Sequence, residues 1–180
     1  MRRDGRGSAR RLKPLRMAML GLMFLQPLPV LAGPVSGFGI YLGPIGATED
    51  SFETVGVGFG ADAQFVINDS WSLNPFLMSS AERDTDSTIT GTTADILVGL
   101  QLRYWSGNWF AGPQAFFHDK IIIDSGISES LYGPGLGVLA GYEAVSGWGV
   151  ESQLDAGMAE TEIRYALRLN LTYRWRRGPI

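Results

Sequence analysis

The 180-residue chain has no cysteine and a single histidine, His118. Without thiols there is no disulfide scaffold, no thiolate metal site and no cysteine nucleophile. Charged residues are scarce, at 18% against 45% hydrophobic. Disordered chains show the opposite balance, low hydrophobicity with high charge. Beyond residue 32 there is no long apolar run, so nothing there supplies the roughly 20 residues of a membrane helix. The apolar residues are therefore plentiful but dispersed, in a chain long enough for one domain.

The first 32 residues read as a secretory signal peptide. Arg2, Arg3, Arg6, Arg10, Arg11, Lys13 and Arg16 form a basic start. A short apolar stretch follows from Met17 to Leu31, broken by Pro27 and Pro29, and Val30-Leu31-Ala32 supplies a small residue at the cut. The stretch is too short to span a bilayer. Its removal takes seven basic residues and Asp4, leaving 15 − 7 = 8 basic and 18 − 1 = 17 acidic side chains, a formal charge of −9. Such an acidic chain lacks the basic face that nucleic acid requires, so no nucleic-acid partner is expected.

The rest of the chain alternates with a period of two, the mark of strands with one apolar face. Val55, Val57, Phe59, Ala61, Ala63, Phe65 and Ile67 face Gly56, Gly58, Gly60, Asp62, Gln64 and Val66. Ala94, Ile96, Val98, Leu100, Leu102 and Tyr104 form a second stripe, and Tyr132, Pro134, Leu136, Val138, Ala140 and Tyr142 a third. The last segment is cleanest: Ile163, Tyr165, Leu167, Leu169, Leu171, Tyr173 and Trp175 against Arg164, Ala166, Arg168, Asn170, Thr172 and Arg174. With segments near 37–46, 71–81, 109–121 and 148–158, eight strands of about 10–13 residues are expected, the length of tilted membrane strands. Eight is also the strand number of the smallest closed barrels. Pro75, Pro113 and Pro134 lie within these segments, where each removes a ladder N–H, so bulges or weak points are expected there.

The connections differ in kind. Asn68-Asp69-Ser70, Ser106-Gly107-Asn108 and Ser146-Gly147 are tight turns, each followed by a tryptophan: Trp71, Trp109 and Trp148. These tryptophans recur at spacings of 38 and 39 residues. Tyr104, Trp105, Tyr142, Tyr173 and Trp175 fall at the same end, so an aromatic girdle is expected beside the tight turns. The other connections read as acidic, with Glu49, Asp50, Glu53, Glu82, Asp84, Asp86, Asp124, Glu129, Glu160 and Glu162, and all but the last, Ala159–Glu162, as longer.

Alternation alone also fits a soluble lipocalin-like cup with its apolar face inward. The second face decides for the reverse. It is rich in glycine with isolated charges of both signs: Asp62, Asp95, Arg103, Glu143, Glu151, Asp155, Arg164 and Arg168. Small residues and paired charges suit a narrow barrel interior, and a charge-free bulky face suits lipid. These eight residues are the expected lumen network, with Arg164 and Arg168 paired to Asp62, Asp95, Glu151 or Asp155 across a filled lumen.

On these features the chain resembles the small eight-stranded outer-membrane barrel family of Gram-negative bacteria, of the OmpA-domain and OmpX type. The resemblance covers residues 33–175 and implies an all-β, eight-stranded antiparallel up-and-down transmembrane β-barrel. It further implies a monomer in contact with outer-membrane lipid and lipopolysaccharide, placed by the outer-membrane assembly machinery. Leu171-Thr172-Tyr173-Arg174-Trp175 resembles the family's C-terminal signal, followed here by a short basic tail over 176–180. The expected role is structural or surface-interacting, through envelope integrity or adhesion by the acidic loops. No cofactor or metal is expected: Asp84-Thr85-Asp86 is only a fragment of a calcium loop. The alternative is a lipid A-modifying barrel hydrolase with His118 as general base. Such enzymes place a serine two residues after the histidine, where this chain has Lys120.

Overall fold

The computed structural model describes residues 35–49, 52–84, 92–124, 127–159 and 162–176. The signal segment lies outside them, as do Asp50, Asp86, Glu160 and the last four residues. Eight strands run in order: β1 (Val35–Glu49), β2 (Phe52–Asn68), β3 (Trp71–Asp84), β4 (Thr92–Ser106), β5 (Trp109–Asp124), β6 (Ile127–Glu143), β7 (Trp148–Ala159) and β8 (Glu162–Arg176). Each pairs antiparallel with its neighbours, and β8 returns to β1, closing the barrel. Closure leaves no free sheet edge along the paired length.

The strands have 12–17 residues, longer than the alternation suggested. The additional length comes from the supposed long loops. Thr48 pairs with Glu53 and Glu49 with Phe52, while Ile122 pairs with Glu129 and Asp124 with Ile127. Two of the acidic connections are thus largely ladder. At the opposite end the turns are tight. Asn68 Oδ1 accepts hydrogen bonds from the amides of Ser70 and Trp71, both at 3.0 Å. Gly107 and Gly147 have φ of 60° and 88°, a left-handed backbone that glycine adopts without steric cost.

The strand prolines cause no bulge. Register shifts occur at Val35/Gly37 and Val66/Asn68, away from Pro44, Pro75, Pro113 and Pro134. Each proline instead interrupts one ladder and keeps the other. Pro44 pairs with Val57 on β2, but the β8 ladder skips from Leu42–Leu171 to Ile45–Arg168 in unbroken register. Pro75 keeps Leu100 and interrupts β2; Pro113 keeps Val138 and interrupts β4. Pro134 keeps Phe117, and pairing with β7 stops at Gly135. A lapse costs a missing N–H, whereas a bulge would turn the following side chains to the wrong face. The residue before three of these prolines is glycine for a steric reason. An added Cβ on Gly43, Gly112 or Gly133 would lie 1.8 Å from the carbonyl oxygen of Leu169, Leu102 or Met158 respectively. Each is the carbonyl opposite the missing proline N–H, drawn in against the neighbouring glycine.

Candidate functional site

The two faces of the wall separate cleanly. Phe38, Leu42, Val57, Phe59, Leu77, Leu136, Val138, Val150, Leu154, Leu167, Leu169 and Leu171 point outward and are at least half exposed. The inward positions are buried, and most are polar or glycine. This is the inverse of a lipocalin cup, which needs its apolar face inside.

The girdle residues meet in pairs across strands. Trp71 packs on Tyr104 with ring centroids 5.1 Å apart, Trp109 on Tyr142 at 5.1 Å, and Trp148 on Tyr173 at 4.9 Å. Trp175 extends the last pair, 4.8 Å from Tyr173. Every pair is also a ladder pair, so the tryptophan after each tight turn finds a tyrosine directly across. Trp105 is a correction to the sequence reading. It points into the lumen, where it packs on Phe110 and donates from Nε1 to Ser72 at 3.0 Å.

At the tight-turn end the lumen holds an ionic cluster centred on Asp62. Arg174 donates to both Asp62 oxygens, from Nη2 at 2.8 Å, and Arg103 approaches the same carboxylate at 3.0 Å. Arg103 also pairs with Glu151 at 2.8 Å, donates to Gln101 and lies over the Phe110 ring. Glu143 accepts from Arg174 Nε at 3.1 Å and pairs with Arg176, whose guanidinium lies 5.0 Å above the Trp105 ring. Arg176 was expected in a tail beyond the barrel, and Arg174 at the end of the last strand but outside the lumen network. Instead β8 runs through both, and Arg174 is buried.

The far end holds a second cluster. Arg164 donates to Asp95 at 2.6 Å and pairs with Glu82, which also accepts from Thr54 and Ser80, both at 2.7 Å. Arg168 pairs with Asp155 and lies 4.0 Å from Asp95. Glu82, expected in a solvated loop, is buried in the lumen. His118 sits deep in the wall, Nδ1 3.3 Å from Asp95 and Nε2 2.9 Å from the Met158 carbonyl. That carbonyl is the one left without a ladder donor by Pro134, so the imidazole replaces the missing N–H from inside. Gly157 leaves room for it, since an added Cβ would lie 2.8 Å from Nε2.

The expected pairing of Arg164 and Arg168 is thus partly rearranged: Asp62 and Glu151 belong to Arg103 and Arg174. Sequence reasoning also missed a buried apolar cluster of Tyr41, Phe76, Met78, Leu97 and Phe116 between the ionic groups. Beside it, Gln101 donates to Gln114 at 3.0 Å and Gln114 donates to Asp155. Among the described residues no group of three or more His, Asp or Glu is placed to hold a metal ion.

A closed eight-stranded antiparallel ladder with an apolar exterior defines the class: the chain has the fold of the small eight-stranded outer-membrane β-barrels. The solved structures it is similar to include neisserial surface protein A (NspA), with a TM-score of 0.58 at 14% identity over 78% of this chain and 96% of that one. They also include Ail, the attachment invasion locus protein of Yersinia pestis, with a TM-score of 0.54 at 14% identity over 78% and 99%. A third is the N-terminal barrel domain of Pseudomonas aeruginosa OprF, with a TM-score of 0.53 at 12% identity over 78% and 98%. At these identities the likeness is one of fold. No family model and no curated protein sequence matches the chain.

Proposed function

We propose that the protein is a monomeric outer-membrane barrel of a Gram-negative bacterium with a structural or surface-interaction role and no catalytic activity. The outward face carries this reading. It is apolar around all eight strands, a surface suited to lipid rather than water. Its height fits as well. Phe117, Tyr132 and Tyr165 face outward eight to ten residues along their strands from Trp109, Tyr142 and Tyr173. At ~3.4 Å per residue and a tilt near 40° this is roughly 20–26 Å, close to the ~25 Å apolar band of outer-membrane barrels. The charged outward residues Glu53 and Arg83 lie beyond it, at the far rim.

Lipid and lipopolysaccharide are the proposed surroundings, reached through the outer-membrane assembly machinery. Ail is solved in a phospholipid bilayer nanodisc and with the heparin analogue sucrose octasulfate. The acidic charge of this chain favours basic partners, or lipopolysaccharide phosphates bridged by divalent ions. The position of His118 supports the non-catalytic reading. Both ring nitrogens are engaged inside the wall, and the residue is buried away from the lipid face.

Cell fractionation followed by gel migration with and without boiling tests the proposal. The protein is expected in the outer-membrane fraction, migrating differently once boiled. Recovery in a soluble periplasmic extract overturns it.

A further inference from the structure

The described lumen changes character along its length. Ionic clusters occupy each end, while the layer between them is apolar, formed by Tyr41, Phe76, Met78, Leu97 and Phe116. The wall is shaped for these side chains. An added Cβ on Gly60 would meet the Tyr41 ring at 2.7 Å, and one on Gly135 would meet the Phe116 ring at 2.2 Å. Glycines thus let both rings lie against the strands they cross. The polar chain running past this layer has neutral amides in its middle: Gln101 accepts from Arg103 and donates to Gln114, which donates to Asp155.

Space in the lumen follows the same division. At the tight-turn mouth an open cleft of about 1020 Å³, bordered by the turns at Gly107 and Gly147, reaches in to Trp105, Glu143, Arg174 and Arg176. Beside Phe116, His118 and Arg168 only about 10 Å³ is open to a water-sized sphere, at the limit of what one water occupies.

We infer that the apolar layer, and not the ion pairs on either side, is the barrier that closes the lumen to ions. The inference rests on the reading of the barrel as membrane-spanning with a filled lumen. An ion approaching from the tight-turn end meets fixed charges that can replace part of its hydration shell. At the apolar layer only the Tyr41 hydroxyl and the Gln101 and Gln114 amides, these already bonded to Arg103, to each other and to Asp155, offer polar atoms. They are too few to replace that shell, and leaving water without polar partners is expensive. Hydrophobic constrictions close channels in this way, by dewetting. Opened ion pairs would line a path with charge; the apolar layer removes the path.

Planar-bilayer recording on the purified full-length barrel and three variants tests this. Each is first shown to be folded by its shift on boiling. The unsubstituted protein is expected to show no stable conductance. Phe116→Ala, and Met78→Ala as a second variant should the first fail to fold, are expected to produce resolvable single-channel steps. Asp62→Asn, which weakens the tight-turn cluster, is expected to stay closed. Steady conductance by the unsubstituted protein overturns the filled-lumen reading itself. A closed unsubstituted protein with closed apolar-layer variants overturns this inference alone, as does an Asp62→Asn barrel that conducts as well as Phe116→Ala.

Discussion

The two ends of the lumen solve the same problem differently. At the tight-turn end three carboxylates, Asp62, Glu143 and Glu151, meet three guanidiniums, Arg103, Arg174 and Arg176. Asp62 touches Arg103 and Arg174, and Glu143 touches Arg174 and Arg176. At the far end Glu82, Asp95 and Asp155 meet only two guanidiniums, Arg164 and Arg168. Neutral donors complete the far set: Thr54 and Ser80 on Glu82, Gln114 on Asp155, with the His118 ring against Asp95. A buried charge without partners is strongly destabilising, but the partner need not be an opposite charge when hydroxyls and amides can satisfy the carboxylate. One end is therefore held chiefly by ion pairs and the other by a mixed hydrogen-bond network.

This contrast predicts where substitution costs most. Asp62→Ala leaves Arg103 and Arg174 buried without their shared carboxylate. Breaking a buried pair from one side costs about 3–5 kcal/mol, the largest loss expected here. Urea unfolding in lipid vesicles measures it, and a loss below ~1 kcal/mol would show that Glu143 and Glu151 can hold both arginines unaided. His118→Ala acts at the mixed end and should cost less. It removes one partner of Asp95, which keeps Arg164, and leaves the Met158 carbonyl with no donor from β6 or from the lumen. An unsatisfied buried acceptor costs about 1–3 kcal/mol. In the same assay His118→Gln should recover part of that loss if the carbonyl is the main term.

Much of this arrangement was legible in the alternation. Parity alone places Arg174 on the face of Arg164 and Arg168, and Glu82 on the face of Ser80 and Met78. Glu82 was misplaced because β3 was ended too early, where acidic residues resembled a loop, and Arg174 was left out of the lumen network because it borders the basic tail. The apolar layer was hidden for another reason. Leu97 sits among glycines and charges on the inward face, and a period of two does not distinguish a plug from a stray apolar residue. Nor did the sequence disclose which charges meet. Arg103 and Asp62 are on β4 and β2, which are not neighbours, and their meeting depends on the stagger of the closed barrel. The prolines were correctly suspected as weak points, but their effect was an interrupted ladder, because a register shift would have turned an apolar stripe inward.

The smallest expected effect lies at the border between the ion-paired end and water. Arg176 pairs with Glu143 and lies over Trp105, but its side chain is 25% exposed, against 2% for Arg174. Solvent screens its charge, so the ion pair is worth at most about 1 kcal/mol. The ring contact adds roughly 0.5–1 kcal/mol at such a site. Arg176→Ala should therefore cost about 1 kcal/mol in vesicle unfolding, and part of that loss should disappear in high salt. Arg174→Ala in parallel should remain costly in the same salt, since its partners are shielded from mobile ions. Equal salt sensitivity in both variants would mean that water and ions reach past Trp105 to Asp62, and the tight-turn cluster would then be an open vestibule.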